Sequence, residues 1–417
     1  MVYFTNWCRL SNMMKQNLRL VLFFLLSVSV TLGCKKKQPV EPDPLDTTER
    51  SLVSATVKGS YSSGQLRILA QLSGYADAVP LIKYDVSFVK ITYKTTYKGN
   101  EISASGMLVI PKNTLVAPSV ISAQHGTTFL AAAAPSNVPE MAAFTGYELL
   151  SAAGFITVIP DYIGYGVSSN VVHPYYDMEH SALAVTDMLR AATEYLKQEK
   201  TAFNARLFMI GYSEGGYVTM AAQKSIEANP IAGLSLKAVA AGAGGYDITS
   251  MLNTIIADGT YGDPAYLALL LNSYNVTYGW NRPLTDFFKE PYAGRIPALL
   301  DGSKDAGVVS AALSSNPTAL LNATFYANMQ QANGENVLKA AFTSNSFLNW
   351  KPVTATRLYH GTADETVFFE STQTTFDRFK AGGATSVELI PVPGGTHETT
   401  VLPMMLDALP WFQSLDK

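Results

Sequence analysis

The run Gly211-Tyr212-Ser213-Glu214-Gly215-Gly216 sets a serine between two glycines at the spacing G-x-S-x-G. The chemistry this suits is nucleophilic attack on an acyl carbon. Five letters alone recur by chance in Gly-rich turns, so the flanks decide the matter. Arg206–Ile210 is apolar and strand-like, and Gly215–Ala228 has helical periodicity. A serine held on a sharp strand-to-helix turn projects above its sheet, and only glycine at 211 and 215 leaves room for the backbone to pass so closely. The N–H groups and dipole of the following helix then favour the negative charge that develops during attack.

A serine hydroxyl is a weak nucleophile until a base takes its proton, and the base must itself be oriented by a carboxylate. After a serine elbow of this kind the acid comes next along the chain and the histidine last. Downstream of Ser213 the candidates are few. Asp364 lies in Tyr359-His360-Gly361-Thr362-Ala363-Asp364-Glu365, after a strand, and His397 lies in Gly394-Gly395-Thr396-His397-Glu398, after another. Loops at the carboxyl ends of strands are where ligand-facing residues sit in such sheets. Glu365 is the rival to Asp364, since the turn presents one of the two, and Asp364 is preferred. His360 precedes the acid and is read as structural. His173 and His180 precede the serine and are read as structural residues or substrate contacts. One oxyanion donor is expected to be the Glu214 N–H, directly after the nucleophile. The other is expected from the loop Ala123–Thr128.

The elements that must position these residues follow a strand–helix rhythm. Ser87–Thr96 and Glu101–Pro111 alternate and are joined through Lys98-Gly99-Asn100, which predicts a hairpin. Pro118–Gln124, Phe155–Pro160, Arg206–Ile210, Leu236–Ala241, Ala355–Tyr359 and Val387–Val392 read as further strands. Met141–Ala153, Glu179–Gln198, Gly215–Ala228, Glu370–Lys380 and Thr399–Phe412 read as helices. An antiparallel start followed by repeated strand–helix units predicts a mostly parallel sheet covered on both faces. The rhythm stops between Ile248 and Trp350, where the chain is helix-prone and rich in Leu, Tyr and Ala.

With these residues in place the chain resembles the α/β-hydrolase superfamily from about Ser87 to Lys417. Within it the chain is most similar to bacterial exported serine esterases and the secretory-lipase group. The likeness is carried by Gln124-His125-Gly126, by Pro160-Asp161-Tyr162-Ile163-Gly164-Tyr165-Gly166, by His173-Pro174 and by Gly211–Gly216. It implies an α/β-hydrolase fold, a mostly parallel central sheet flanked by helices, with a helical cap insertion. The core is expected over 51–247 and 351–417, and the cap or lid over 248–350. The His-Gly turn resembles that of many esterases, in which the next residue gives the second oxyanion N–H; here that is Thr127, with His125 a turn residue. The implied activity is hydrolysis of carboxylic esters through Ser213, His397 and Asp364, with no cofactor. A serine exopeptidase would share this triad and would need cap acids to hold a peptide amine; Asp258, Asp263, Asp286 and Glu290 are available. A binding protein that keeps the fold is the third reading. Tyr261, Tyr266, Leu267, Leu269, Leu270, Tyr274, Tyr278 and Trp280 suggest instead an apolar wall for acyl or aryl groups.

The bulk properties set limits. Of 417 residues, 47% are apolar and 15% charged, which is a globular composition. The net charge of −3 gives nucleic-acid binding no electrostatic support. Neither cysteine, Cys8 or Cys34, falls in the globular part, and the five histidines show no metal-binding spacing, so no disulfide or metal is expected there. Lys15 and Arg19 precede an uncharged run from Leu20 to Gly33 that is short for a membrane span and suits an export signal. The translation start is expected at Met13 or Met14. The junction Thr31-Leu32-Gly33-Cys34 resembles a bacterial lipoprotein signal, with Thr31 departing from the usual Leu. It implies segment 1–34 as a signal, residues 35–50 as a Pro-rich linker, and a lipid anchor to a bacterial membrane through Cys34, periplasmic or at the cell surface. Plain cleavage and secretion is the alternative.

Overall fold

The computed structural model describes residues 51–137 and 146–417. The expected signal segment 1–34 and linker 35–50 lie outside the described residues. Nine strands form one sheet: β1 (Leu52–Tyr61), β2 (Val86–Tyr97), β3 (Asn100–Pro111), β4 (Val120–Gln124), β5 (Ile156–Pro160), β6 (Arg206–Tyr212), β7 (Ser235–Gly242), β8 (Ala355–Gly361) and β9 (Val387–Val392). Their spatial order is β1-β2-β3-β5-β4-β6-β7-β8-β9. The pairs β1–β2, β2–β3 and β3–β5 are antiparallel, and every pairing from β5 to β9 is parallel. Strands β4 and β5 are buried at every residue, as strands covered on both faces must be.

Local chemistry explains the joints. The β2–β3 turn has only two residues, Lys98 and Gly99, at φ 52° and 76°. Two successive positive φ values match the twist of a tight hairpin. Two elements are absent from the sequence-based reading, β1 and the helix that follows it. β1 is an edge strand with no clean alternation, and Val53 and Val57 face solvent. Periodicity therefore carries no signal there.

The helices in chain order are α1 (Ser63–Leu72), α2 (Glu148–Ala152), α3 (Met178–Gln198), α4 (Glu214–Ala228), α5 (Ile248–Asp258), α6 (Pro264–Thr277), α7 (Tyr292–Leu299), α8 (Ala306–Ala311), α9 (Pro317–Leu320), α10 (Ala323–Gln330), α11 (Asn336–Ser344), α12 (Phe369–Ala381) and α13 (Val401–Leu415). The helix expected over Met141–Ala153 begins outside the described residues; its described part is α2. One apolar cluster joins residues of α3, α4 and α12 to one side of the sheet. A second joins α1, α2 and α13 to the other. Helices α5 to α11 fill the interval between β7 and β8.

This interval is tied to the rest by tyrosine hydroxyls. Tyr274 donates to the Tyr176 carbonyl at 2.8 Å, and Tyr217 of α4 donates to the Asn345 carbonyl at 2.8 Å. Tyr278 donates to Asp177 Oδ2 at 2.9 Å. Tyr278 stacks on both Tyr274 and Trp280, and Leu267, Leu270 and Tyr274 are buried. Most of the apolar wall expected at a pocket mouth is thus packing that seats these helices. Burial of such side chains contributes about 25 cal/mol per Å², which a pocket-lining residue would forgo.

Candidate active site

Strand β6 ends at Tyr212, α4 starts at Glu214, and Ser213 makes the whole turn between them. Its backbone has φ 60° and ψ −126°, a strained conformation for a residue with a Cβ. The glycines around it are there for space. A Cβ on Gly211 would lie 2.2 Å from the Gly215 carbonyl oxygen, and one on Gly215 would lie 2.0 Å from that of Gln124. The chain passes from β4 to β5 on one side of the sheet and to β6 on the other, so the gap between β4 and β6 is a topological switch point. Ligands in open α/β sheets bind at such points. Ser213 and the loop 125–127 both lie at the carboxyl ends of these two strands.

The structure brings Ser213, His397 and Asp364 together. His397 Nε2 is 2.8 Å from Ser213 Oγ, and His397 Nδ1 is 2.7 Å from Asp364 Oδ2. Asp364 Oδ1 accepts from the backbone N–H groups of Thr366 at 3.0 Å and Val367 at 2.9 Å. Glu365, the rival acid, points to solvent. Burial alone would raise the Asp364 carboxyl. Hydrogen bonds from His360 and His397, and their charges, more than offset it and hold the group well below the usual carboxylate range. The ring of Tyr212 packs at 5.3 Å against that of His397 and limits its rotation.

His360 has a closer relation to the acid than its sequence position suggests. It is fully buried, with Nε2 3.2 Å from Asp364 Oδ2 and 2.7 Å from the Val367 carbonyl. Both are acceptors, so Nε2 carries a proton and Nδ1 faces the Thr372 hydroxyl at 2.6 Å. The i, i+4 spacing of His360 and Asp364 across the β8 turn is the signal that points to this contact.

The expected oxyanion residues flank the serine. Glu214 is the first residue of α4, and a Cβ on Gly126, next to Thr127, would lie 3.7 Å from Ser213 Cβ. His125 is a turn residue whose ring stacks on Tyr162 at 4.1 Å. Asp161, in the loop after β5, is buried and accepts from Ser105 Oγ at 2.5 Å and Ser136 N at 2.7 Å. Its carboxyl is pushed up by burial, against the hydrogen bonds from Ser105 and Ser136. His180 bonds Asp177 at 2.6 Å and accepts from the Lys98 N–H, which fixes the β2–β3 turn on α3. His173 instead meets Glu214, with Nε2 2.6 Å from Oε1.

Of the four acids available for a peptide amine, three have partners. Asp258 is exposed. Asp263 accepts from Thr366 Oγ1 at 2.7 Å, Asp286 lies 3.4 Å from Arg282 Nε, and Glu290 accepts from Gly294 N at 3.2 Å.

A family model described as secretory lipase matches residues 140–415. No curated protein sequence matches the chain. Among solved structures, a candidate hydrolase from Legionella pneumophila is 25% identical over 88% of this chain and 99% of its own, with a TM-score of 0.81. The rice cell wall degrading esterase LipA from Xanthomonas oryzae is 24% identical over 87% of this chain and 96% of its own, with a TM-score of 0.73. Candida antarctica lipase A in its closed state is 14% identical over 88% of this chain and 81% of its own, with a TM-score of 0.65.

Proposed function

The chain belongs to the secretory lipase family, and from that premise we propose that Ser213, His397 and Asp364 are the triad of its ester-hydrolysing site. The chain has the α/β-hydrolase fold, and its activity is that of a serine hydrolase acting on carboxylic esters. In the proposed cycle Ser213 Oγ attacks the ester carbonyl while His397 Nε2 takes its proton. Asp364 holds His397 in the tautomer that leaves Nε2 free to accept, and stabilises the imidazolium once formed. The Glu214 and Thr127 N–H groups receive the oxyanion. His397 then protonates the departing alcohol, and water hydrolyses the acyl-Ser213 ester by the same steps in reverse roles.

The observation that supports this best is the continuous chain of 2.7 and 2.8 Å contacts from Asp364 to Ser213 on a strained elbow. A fluorophosphonate probe should label Ser213. Ser213→Ala should lower turnover of p-nitrophenyl esters by about 10³-fold or more while the protein stays folded. Near-normal turnover in that variant, or labelling elsewhere, overturns the assignment. The substrates proposed are short-to-medium acyl or aryl esters. The family is a secretory one, and the Gly33-Cys34 junction supports a lipid anchor on Cys34 after export.

A further inference from the structure

Glu214 carries an ionisable side chain where the oxyanion role needs only its N–H. That side chain is 1% exposed. Its Oε1 lies 2.6 Å from His173 Nε2, while Oε2 is buried without a hydrogen-bond partner. A buried carboxyl satisfied on one side only is costly, so its single bond should serve a purpose. His173 Nδ1 lies 2.7 Å from the Ile163 carbonyl, which can only accept, so Nδ1 carries a proton. One further proton must then lie between Nε2 and Oε1, because two bare lone pairs would repel at 2.6 Å.

Two residues on, Tyr175 does the same for the other donor. Its hydroxyl is 3.0 Å from Thr127 Oγ1. The segment between them is clamped from α6, where Ser273 Oγ donates to the His173 carbonyl at 2.7 Å and accepts from the Tyr175 N–H at 2.7 Å. The loop after β5 presses on the same segment: a Cβ on Gly164 would lie 2.5 Å from His173 Cα.

We infer that His173-Pro174-Tyr175 is a positioning brace that sets the spacing of the Glu214 and Thr127 oxyanion donors, and that Ser273 couples α6 to that brace. The inference rests on the proposed oxyanion roles of Glu214 and Thr127. The side chains of both donors are gripped from one short segment, so a shift of that segment moves both N–H groups together. Hydrogen bonds in an oxyanion hole act where charge develops, and an error of about 1 Å in such placement is worth up to about 10²-fold in rate. The helix α6 therefore takes part in catalysis without touching the reacting atoms, through Ser273.

The test compares kcat, KM and the affinity for an aryl trifluoromethyl ketone, which forms an oxyanion on the serine. Tyr175→Phe and Ser273→Ala should each lower kcat by about 3–10-fold, and Glu214→Leu by about 10²-fold, with KM for p-nitrophenyl butyrate within about 2-fold. Ketone affinity should fall in parallel with kcat/KM. Glu214→Gln should recover most of the Leu loss, because its amide can donate to a neutral His173 Nε2 while Nδ1 keeps Ile163. A packing role alone would be met equally by Glu214→Met, which has the length and volume of Gln without the hydrogen bond and should lose as much as Leu if the brace holds. Tyr175→Phe keeps the ring and removes one hydroxyl, so it tests the brace even if Ser273→Ala fails to fold. Wild-type kcat in Tyr175→Phe and Glu214→Leu, with Ser213 still labelled by fluorophosphonate, overturns the brace and leaves the triad standing. Loss of Ser213 dependence overturns the triad instead.

Discussion

Replacing Asp364 with Asn changes one atom and exposes the logic of the site. All four groups facing the Asp364 carboxylate are donors: the Thr366 and Val367 N–H groups on Oδ1, and His397 and His360 on Oδ2. An asparagine must turn its NH2 toward one side or the other. Facing the loop, it opposes two backbone N–H groups, with a cost of about 1–3 kcal/mol for donors left buried and unpaired. Facing the histidines, it forces His397 into the other tautomer, with Nδ1 accepting from the amide and the proton on Nε2. Nε2 then points a proton at Ser213 Oγ across 2.8 Å and cannot act as base. A wrong tautomer in a triad lowers kcat by about 10⁴-fold, or about 5.4 kcal/mol at 1.36 kcal/mol per decade. The assay is steady-state hydrolysis of a p-nitrophenyl ester beside a thermal melt, with Glu365→Gln as the exposed control, which should stay near wild type. A kcat for Asp364→Asn within tenfold of wild type refutes the reasoning. The same variant has a stability signature. The Asp364 carboxyl is depressed in the folded chain, so its stabilisation is fully present above the unfolded carboxylate value of about 3.9 and is lost as pH falls through the folded value. Asp364→Asn should therefore lose less stability than wild type between about pH 4 and pH 2.

Three further outcomes follow from other contacts. Gly215→Ala sets a methyl 2.0 Å from the Gln124 carbonyl oxygen and 2.7 Å from that of His125, both fixed at the end of β4, so the melting temperature should drop by the equivalent of about 1–3 kcal/mol; a rise, which helix propensity alone predicts, would contradict the close approach of elbow and loop. Because Asp263, Asp286 and Glu290 are already engaged, kcat/KM for an ester should exceed that for the matched aminoacyl p-nitroanilide by more than about 10²-fold; comparable rates, lost on neutralising Asp258, Asp263, Asp286 or Glu290, would indicate an exopeptidase. Cys34→Ser should move the exported protein from the membrane fraction to the soluble one, and a wild type that is already soluble would rule out the anchor.

Much of the parallel sheet was legible because its strands announce themselves. Arg206–Ile210 and Phe155–Pro160 are apolar at nearly every position, a pattern that only strands covered on both faces sustain. The edge was not legible, since β1 is half exposed and alternates irregularly. That Ser213, Asp364 and His397 should meet was legible because each follows a strand and chain order leaves few rivals. The intervening helices were legible as helices but not in their packing. Tyr274 and Tyr278 look like pocket residues in a sequence, yet their hydroxyls are committed to Tyr176 and Asp177. Which face of an apolar helix meets its neighbours and which meets a ligand depends on what lies opposite, and sequence periodicity does not record that.

The histidines show where the limit lies. Chain order favours His397 as base and disfavours His173 and His360, since each stands on the wrong side of the serine or the acid. Order excludes a residue only from the role being ordered. His360 has one nitrogen on the Asp364 carboxylate, and His173 has one on the side chain next to the nucleophile. Each has its second nitrogen committed within 2.7 Å to a carbonyl or hydroxyl. An imidazole fixed at both nitrogens cannot turn to exchange protons with substrate, but it can hold a carboxyl in place. His397 alone among these three has a nitrogen facing a group with a transferable proton at the open end of the site. The proposed distinction between base and brace in this chain rests on what each second nitrogen touches, and that is a property of the folded loops.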